Sequence, residues 1–265
     1  RCPRCAGTPS LAEATLDSRG VHEGILTCPC GYEARIREGI LRTGNVNPSA
    51  YDRPDLTREL YKDLSSPLIT LFAKAHEWMF LRMDRLSSAR VVLETHPNAY
   101  FFLHMAASRA PRGPLYVVVD KFPETLEMYK RKLDRSAPDL EILYLADASL
   151  DFPIRWGCVE GFVDFFGSNE HGFYHHQDLV CGLERFFSPR ALVLGTYFHY
   201  PPGGASVRQL CREYPEAAMH NFDVRRYRRI LEDRGFRVEE GEPVGAVTDP
   251  GKNLAFSFHR SDEEL

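Results

Sequence analysis

Five absences bound what this sequence can be. No stretch approaches the roughly 18 uninterrupted apolar residues needed to cross a membrane. The opening Arg1-Cys2-Pro3-Arg4-Cys5 lacks the apolar core of a secretory signal, so no membrane partner is expected and the expected compartment is the cytoplasm. A strong charge of one sign is missing too. The formal net charge of -4 sets up no field that would hold a polyanion, which makes nucleic acid an unexpected partner. A compositional disorder signature is absent, since 265 residues with 43% hydrophobic and 12% aromatic content suffice for one large domain plus an appendage. A disulfide framework is the fifth absence. The seven cysteines are an odd number and crowd toward the N-terminus, which fits metal ligation in a reducing compartment.

Cys2-Pro3-Arg4-Cys5 forms a C-x-x-C knuckle, and Cys28-Pro29-Cys30-Gly31 forms a tighter C-x-C knuckle entered from a strand-like Leu26-Thr27-Cys28 run. Two knuckles can supply Cys2, Cys5, Cys28 and Cys30 as four thiolates to one tetrahedral zinc ion. A closed four-thiolate shell leaves no position for a substrate, so the expected role is structural, in a module too small to fold without a staple. The alternative is a ribbon that has lost its metal. Cys158, Cys181 and Cys211 sit among apolar or helical neighbours and read as small buried hydrophobes.

From Thr43 to Pro54 the chain is rich in Asn, Gly, Pro and Ser and reads as a linker. Beyond it, Leu60, Leu64, Leu68, Leu71, Phe72, Ala75 and Met79 recur at helical spacing, with Ser65-Ser66-Pro67 as a break. Short apolar runs then alternate with helical patterns: 90–94, 115–120, 141–147, 161–166 and 191–199 read as strands. Such alternation predicts an α/β fold with a parallel sheet and crossover helices. A helix around 224–234 and two last strands, 236–240 and 253–259, complete the expectation. The predicted division is a zinc-ribbon module over 1–43, a linker and N-terminal helices over 44–88, and an α/β domain over 89–265.

The run Val117-Val118-Val119-Asp120-Lys121-Phe122-Pro123-Glu124, the Leu145-Ala146-Asp147-Ala148 segment and the closing helix and strands resemble the class I S-adenosylmethionine-dependent methyltransferases. The segment from Gly31 to Arg42 is similar to the end of zinc ribbons fused in front of bacterial methyltransferases, with Ala34 and Leu41 departing from that pattern. The resemblance implies a Rossmann-like seven-stranded methyltransferase sheet behind a zinc ribbon, with S-adenosylmethionine as cofactor and methyl transfer to an unidentified small-molecule or protein acceptor. It places Asp120 on the cofactor's ribose hydroxyls, with Lys121 and Phe122 beside the adenine, while Asp120 read from its own position is equally a helix N-cap. It places Asp147 and Ala148 at the adenine, and Asp164, Ser168, Asn169 and His171 along the reaction cleft.

The first strand departs from the family. Glu94 is present, but His96, Asn98 and Tyr100 stand where the resemblance implies three glycines. Asn98 tolerates the positive φ that such a turn needs, whereas His96 and Tyr100 would fill space used by the methionine part of the cofactor. A noncatalytic binding or regulatory subunit with an occluded cofactor pocket, acting through a partner protein, is therefore the alternative reading. An RNA-modifying enzyme ranks behind both for lack of a basic stripe.

His171, His175, His176 and Asp178 cluster in one segment and offer a metal or proton-transfer contact. Tyr197, His199 and Tyr200 follow a strand and offer an acceptor pocket, with His171 and His199 as the candidate bases. The basic cluster from Arg225 to Arg229 reads as the solvated face of a helix that turns Tyr227, Ile230 and Leu231 inward.

Overall fold

A computed structural model of the chain describes residues 1–46, 66–95, 107–169, 171, 178–201, 204, 208, 212 and 223–246. The three apolar runs at its centre become β5 (Val91–Thr95), β6 (Leu115–Asp120) and β7 (Glu141–Ala146). Their β-branched composition suits a pleated sheet, and the burial of nearly every residue of β5 and β6 marks strands covered on both faces. β5 pairs in parallel with β6 on one side and with β8 (Val159–Phe165) on the other, and β6 pairs in parallel with β7. With β9 (Phe187–Thr196) outermost, the order β7-β6-β5-β8-β9 is that of a doubly wound α/β sheet, whose switch point lies beside β5.

The N-terminal strands extend this sheet. β1 (Ser10–Asp17), β2 (Gly20–Thr27), β3 (Glu33–Arg37) and β4 (Ile40–Arg42) form an antiparallel meander. β4 then runs parallel to β7, with Ile40, Leu41 and Arg42 opposite Tyr144, Leu145 and Ala146. The result is a mixed sheet of nine strands. This corrects the expected seven, because an open parallel edge presents unpaired backbone groups and the ribbon satisfies them.

Of the two compact units into which the chain divides, the first comprises 1–54, 83–163 and 183–194. Its helix α2 (Pro123–Ser136) starts on a proline and packs against β4, β6 and β7. The ribbon is tied to α2 by polar contacts as well: Arg42 pairs with Glu127 at 2.7 Å, and Arg19 donates to the carbonyls of Pro138 at 2.6 Å and Asp134 at 2.8 Å.

The second unit comprises 55–82, 164–182 and 195–265. Helix α1 (Ser66–Phe80) buries Leu68, Leu71, Phe72, Ala75 and Met79, the stripe expected from their spacing. α3 (Leu179–Leu183) is a short turn, and α4 (Val224–Asp233) begins on Asp223, whose carboxylate accepts from the amides of Arg225 and Arg226. The arginines of α4 face solvent and Tyr227 is buried, while Ile230 and Leu231 are only partly covered.

Residues 236–246 form no strand, which corrects the expectation for 236–240. Two of their acids turn to α1 and the residues just after it instead: Glu240 pairs with Arg82, and Glu242 accepts from Trp78 Nε1 at 2.5 Å. The expected strand over 253–259 lies outside the described residues. Among the described residues no helix is long and apolar enough to cross a membrane.

Gly161 of β8 is the tightest glycine of the central strands. A Cβ there would lie 2.8 Å from Leu86 Cδ2 and 3.2 Å from Val92 Cγ2, and both side chains are fully packed. Gly161→Ala is expected to lower stability by about 1–3 kcal/mol, measured as a shift in the urea midpoint at unchanged slope; a neutral substitution would show that β8 can move away from β5.

Candidate functional site

The N-terminal cysteines converge. All four sulfurs lie within 4.8 Å of one another, with Cys2 Sγ 3.5 Å from Cys30 Sγ and Cys5 Sγ 3.5 Å from Cys28 Sγ. Zinc–sulfur bonds of about 2.3 Å in a tetrahedron would separate the sulfurs by roughly 3.8 Å, so the donor set fits that ion. Left-handed backbone at Ala6 and at Gly31 closes the two knuckles. The amide of Cys2 donates to Gly7 O at 2.7 Å, and the amide of Cys28 donates to Tyr32 O at 2.9 Å. Burial raises the Cys2 thiol, but the backbone amides of Cys5 and Arg4 outweigh it and bring the group down to about 7. Cys30 gains from the Tyr32 amide, yet burial and the other three sulfurs push it up to about 12. Four sulfurs this close cannot all ionise without a cation between them. Tyr32 and Ala34 pack beneath Cys2 and Cys28 as the module's small core.

In the first unit the parallel strands end on carboxylates. Glu94 is the penultimate residue of β5, Asp120 ends β6, and Asp147 follows β7, all three buried. Their environments differ. Asp120 Oδ1 accepts from the amide of Phe122 at 2.7 Å, and it is Phe122 that occupies the N-cap position of α2, without a side-chain cap bond. The N-cap alternative for Asp120 is thereby replaced by an Asx-type turn. Lys121 lies over the Phe122 ring at 5.3 Å. Asp147 is fully buried: its Oδ2 accepts from Thr43 Oγ1 at 2.5 Å, and its Oδ1 accepts from Ser149 N at 2.6 Å and Ser149 Oγ at 2.7 Å. Burial raises Asp147, and the hydroxyls of Thr43 and Ser149 pull it back. The Ala148 amide donates to the carbonyl of Asn45. Beside Glu94, Thr95 Oγ1 is buried with no hydrogen-bond partner among the described residues. An orphaned hydroxyl at the switch point fits a polar ligand reaching the end of β5. Asn98, His96 and Tyr100 lie outside the described residues.

The second unit builds its polar interior around Asp164. This carboxylate is fully buried, accepts from Ser168 N at 3.1 Å, and also accepts from Ser168 Oγ. Burial raises Asp164 to about 7, against the lowering effect of Ser168 and with a further push from the Asp178 charge. Tyr197 and Tyr227 are raised well above the usual phenol range by burial and by the same two carboxylates. Asn169 exchanges two bonds with the backbone of Phe198, donating at 3.1 Å and accepting at 2.7 Å. Phe166, in the left-handed region at φ 61, stacks on Phe198 at 4.3 Å and meets Phe72 edge-on at 5.1 Å. A non-glycine residue held there signals a backbone constrained by its surroundings.

His171 is buried in this unit, and the His199 ring lies 6.2 Å from that of Tyr197. His175 and His176 lie outside the described residues. Among the described residues the N-terminal cysteines are the one cluster arranged for a metal. Cys158 and Cys181 are half-buried rather than enclosed, and Cys211 lies outside the described residues. Thr43 and Ser149 carry no motif that singles them out; only their hydrogen bonds to Asp147 reveal them.

No family model matches the chain, and no curated protein matches it. Among solved structures it is similar to a geranyl diphosphate methyltransferase in complex with SAM, at 16% identity over 70% of this chain and 71% of that one, TM-score 0.48. It is similar as well to the geranyl diphosphate C-methyltransferase of Streptomyces coelicolor A3(2), at 18% identity over 80% and 77%, TM-score 0.49. A third similarity is to a chain of the Haloferax volcanii complex formed with the Trm112 methyltransferase activator, at 16% identity over 76% and 81%, TM-score 0.49. The fold itself, read from its own strand order, is a doubly wound α/β one with a mixed sheet.

Two outcomes test these arrangements. Purified protein is expected to hold about one zinc per chain by elemental analysis, and Cys28→Ser to lose it; full retention of zinc by the variant would contradict the four-sulfur site. For Asp164 the folded carboxyl keeps its proton to about 7, whereas the ordinary value is 3.8. The folded state thus binds more protons between those limits, so stability falls as pH rises through them, by on the order of 4 kcal/mol at most. Urea unfolding from about pH 4 to pH 8 should show that decline, and Asp164→Asn should flatten it; an unchanged slope in the variant would remove Asp164 as its source.

Proposed function

We propose that this chain is an S-adenosylmethionine-dependent methyltransferase-like protein that binds its cofactor across the carboxyl ends of β5, β6 and β7 and transfers the methyl group to an acceptor not yet identified. The observation that carries this reading is the pair of buried acids Glu94 and Asp120 at the switch end of a doubly wound sheet, where such sheets take their ligands. Asp120 suits the ribose, since one carboxylate accepts from two vicinal hydroxyls. Lys121, Phe122 and Ala148 flank the adenine in this reading. The bound cofactor supplies an activated methyl group; what the chain supplies is orientation and, for an oxygen or nitrogen acceptor, a proton-accepting imidazole from His171 or His199.

A second reading has one observation in its favour. Asp147 has both carboxylate oxygens engaged by this chain's own hydroxyl and amide groups and is fully buried, so the acid implied for the adenine is occupied. A noncatalytic subunit that binds a partner protein would need no adenine contact. Titration calorimetry separates the two: S-adenosylhomocysteine is expected to bind the intact protein, and Asp120→Ala to weaken it by roughly tenfold or more, the cost of one charge-assisted hydrogen bond. No heat at millimolar ligand would overturn the methyltransferase reading in favour of the second.

A further inference from the structure

The ribbon reaches the ligand end of the sheet through a continuous ladder within the first unit. Where β4 ends, the Thr43 amide donates to Ala146 O at 3.1 Å and its hydroxyl donates to Asp147 Oδ2 at 2.5 Å. The Asn45 carbonyl accepts from the Ala148 amide. The Asp147 amide in turn donates to Asp120 O at 2.9 Å, and the Asp120 carboxylate accepts from the Phe122 amide at 2.7 Å. Two of these rungs, Thr43 N to Ala146 O and Asp147 N to Asp120 O, pair backbone groups of buried residues that would otherwise be left unsatisfied. Thr43 itself lies one residue beyond a three-residue strand whose partner strand, β3, begins three residues after Cys30. The position of Thr43 therefore depends on a module whose own core is four residues grouped around two of the cysteines.

We infer that the ribbon is a metal-dependent positioning element acting in cis, in which Thr43 and Asn45 clasp the Asp147–Ala148 turn and so hold the end of β6 that bears Asp120. Asp147 is the buckle of this clasp, and its carboxylate serves the ribbon instead of an adenine. The inference rests on the proposed ligand site only for its consequence, since the clasp is a property of the chain without ligand. Thr43 is a positioning residue: it orders the turn beside the site and touches no reacting atom. Metal loading of Cys2, Cys5, Cys28 and Cys30 keeps the clasp closed, and metal loss releases it by melting the small core beneath β3 and β4.

The test uses the full-length chain in zinc-loaded and chelator-stripped forms, followed by hydrogen–deuterium exchange of the Thr43, Asp147 and Ala148 amides. Stripping zinc is expected to speed their exchange by about tenfold or more, as loss of a buried bond to a charged group would. Thr43→Val in the zinc-loaded chain should reproduce the faster exchange at Asp147 and Ala148 with zinc content unchanged, and stripping it should add little. Ser149→Ala, which removes a partner of Asp147 outside the ribbon, should leave the zinc sensitivity intact. Unchanged exchange at Asp147 and Ala148 on zinc removal from the unsubstituted chain would overturn the inference, and that arm stands even if Thr43→Val fails to fold. S-adenosylhomocysteine titration of the same samples keeps the two readings apart. Absence of binding alongside zinc-sensitive exchange sinks the proposed ligand and leaves the clasp, whereas binding with zinc-insensitive exchange does the reverse.

Discussion

Three residues of β4 beside three residues of β7 carry much of the first unit's organisation. A parallel edge strand left open would expose its amides and carbonyls, and β7 is already less covered than β5 or β6, with Glu141 and Leu143 exposed. By lying along it, β4 closes the edge, brings Arg42 to Glu127 on α2, and delivers Thr43 to Asp147. The meander of β1 to β3 buries little of its own apolar surface, since every residue of β1 is exposed. What holds it is the sulfur cluster at one end and the β4–β7 ladder at the other, so metal site and sheet edge support one another.

The acids at the ends of the parallel strands show how environment, more than residue type, assigns a role. Asp120 is oriented by a backbone amide at the start of a helix. Asp147 is enclosed by two hydroxyls and an amide, the pattern of a structural carboxylate. Asp164 has one serine partner and a second carboxylate nearby, and burial brings it to about 7. The same side chain therefore serves as an orienting acceptor, a clasp and a proton-holding group, according to the number of donors that face it.

Much of the architecture was legible in the sequence because it follows from local periodicity. The α1 positions picked out by helical spacing, Leu68, Leu71, Phe72, Ala75 and Met79, are buried, the runs at 91–95, 115–120 and 141–146 are the parallel strands, and the arginines of α4 face solvent around a buried Tyr227. The metal cluster was legible for a related reason, since two knuckles bring paired sulfurs together over short stretches of chain. The segment at 236–240 went the other way: its alternation suits a strand, but Glu240 and Glu242 find Arg82 and Trp78, partners about 160 residues away in the chain.

By itself the sequence determined the α/β class, the four N-terminal cysteines that converge and the acids Glu94, Asp120 and Asp147, because each is written in spacing or in a residue beside its own strand. Tertiary structure alone decided that the ribbon joins the sheet, that nine strands rather than seven result, and that Asp147 is committed to Thr43. Those outcomes depend on contacts between segments about 100 residues apart, and no local pattern records which edge a free strand will meet.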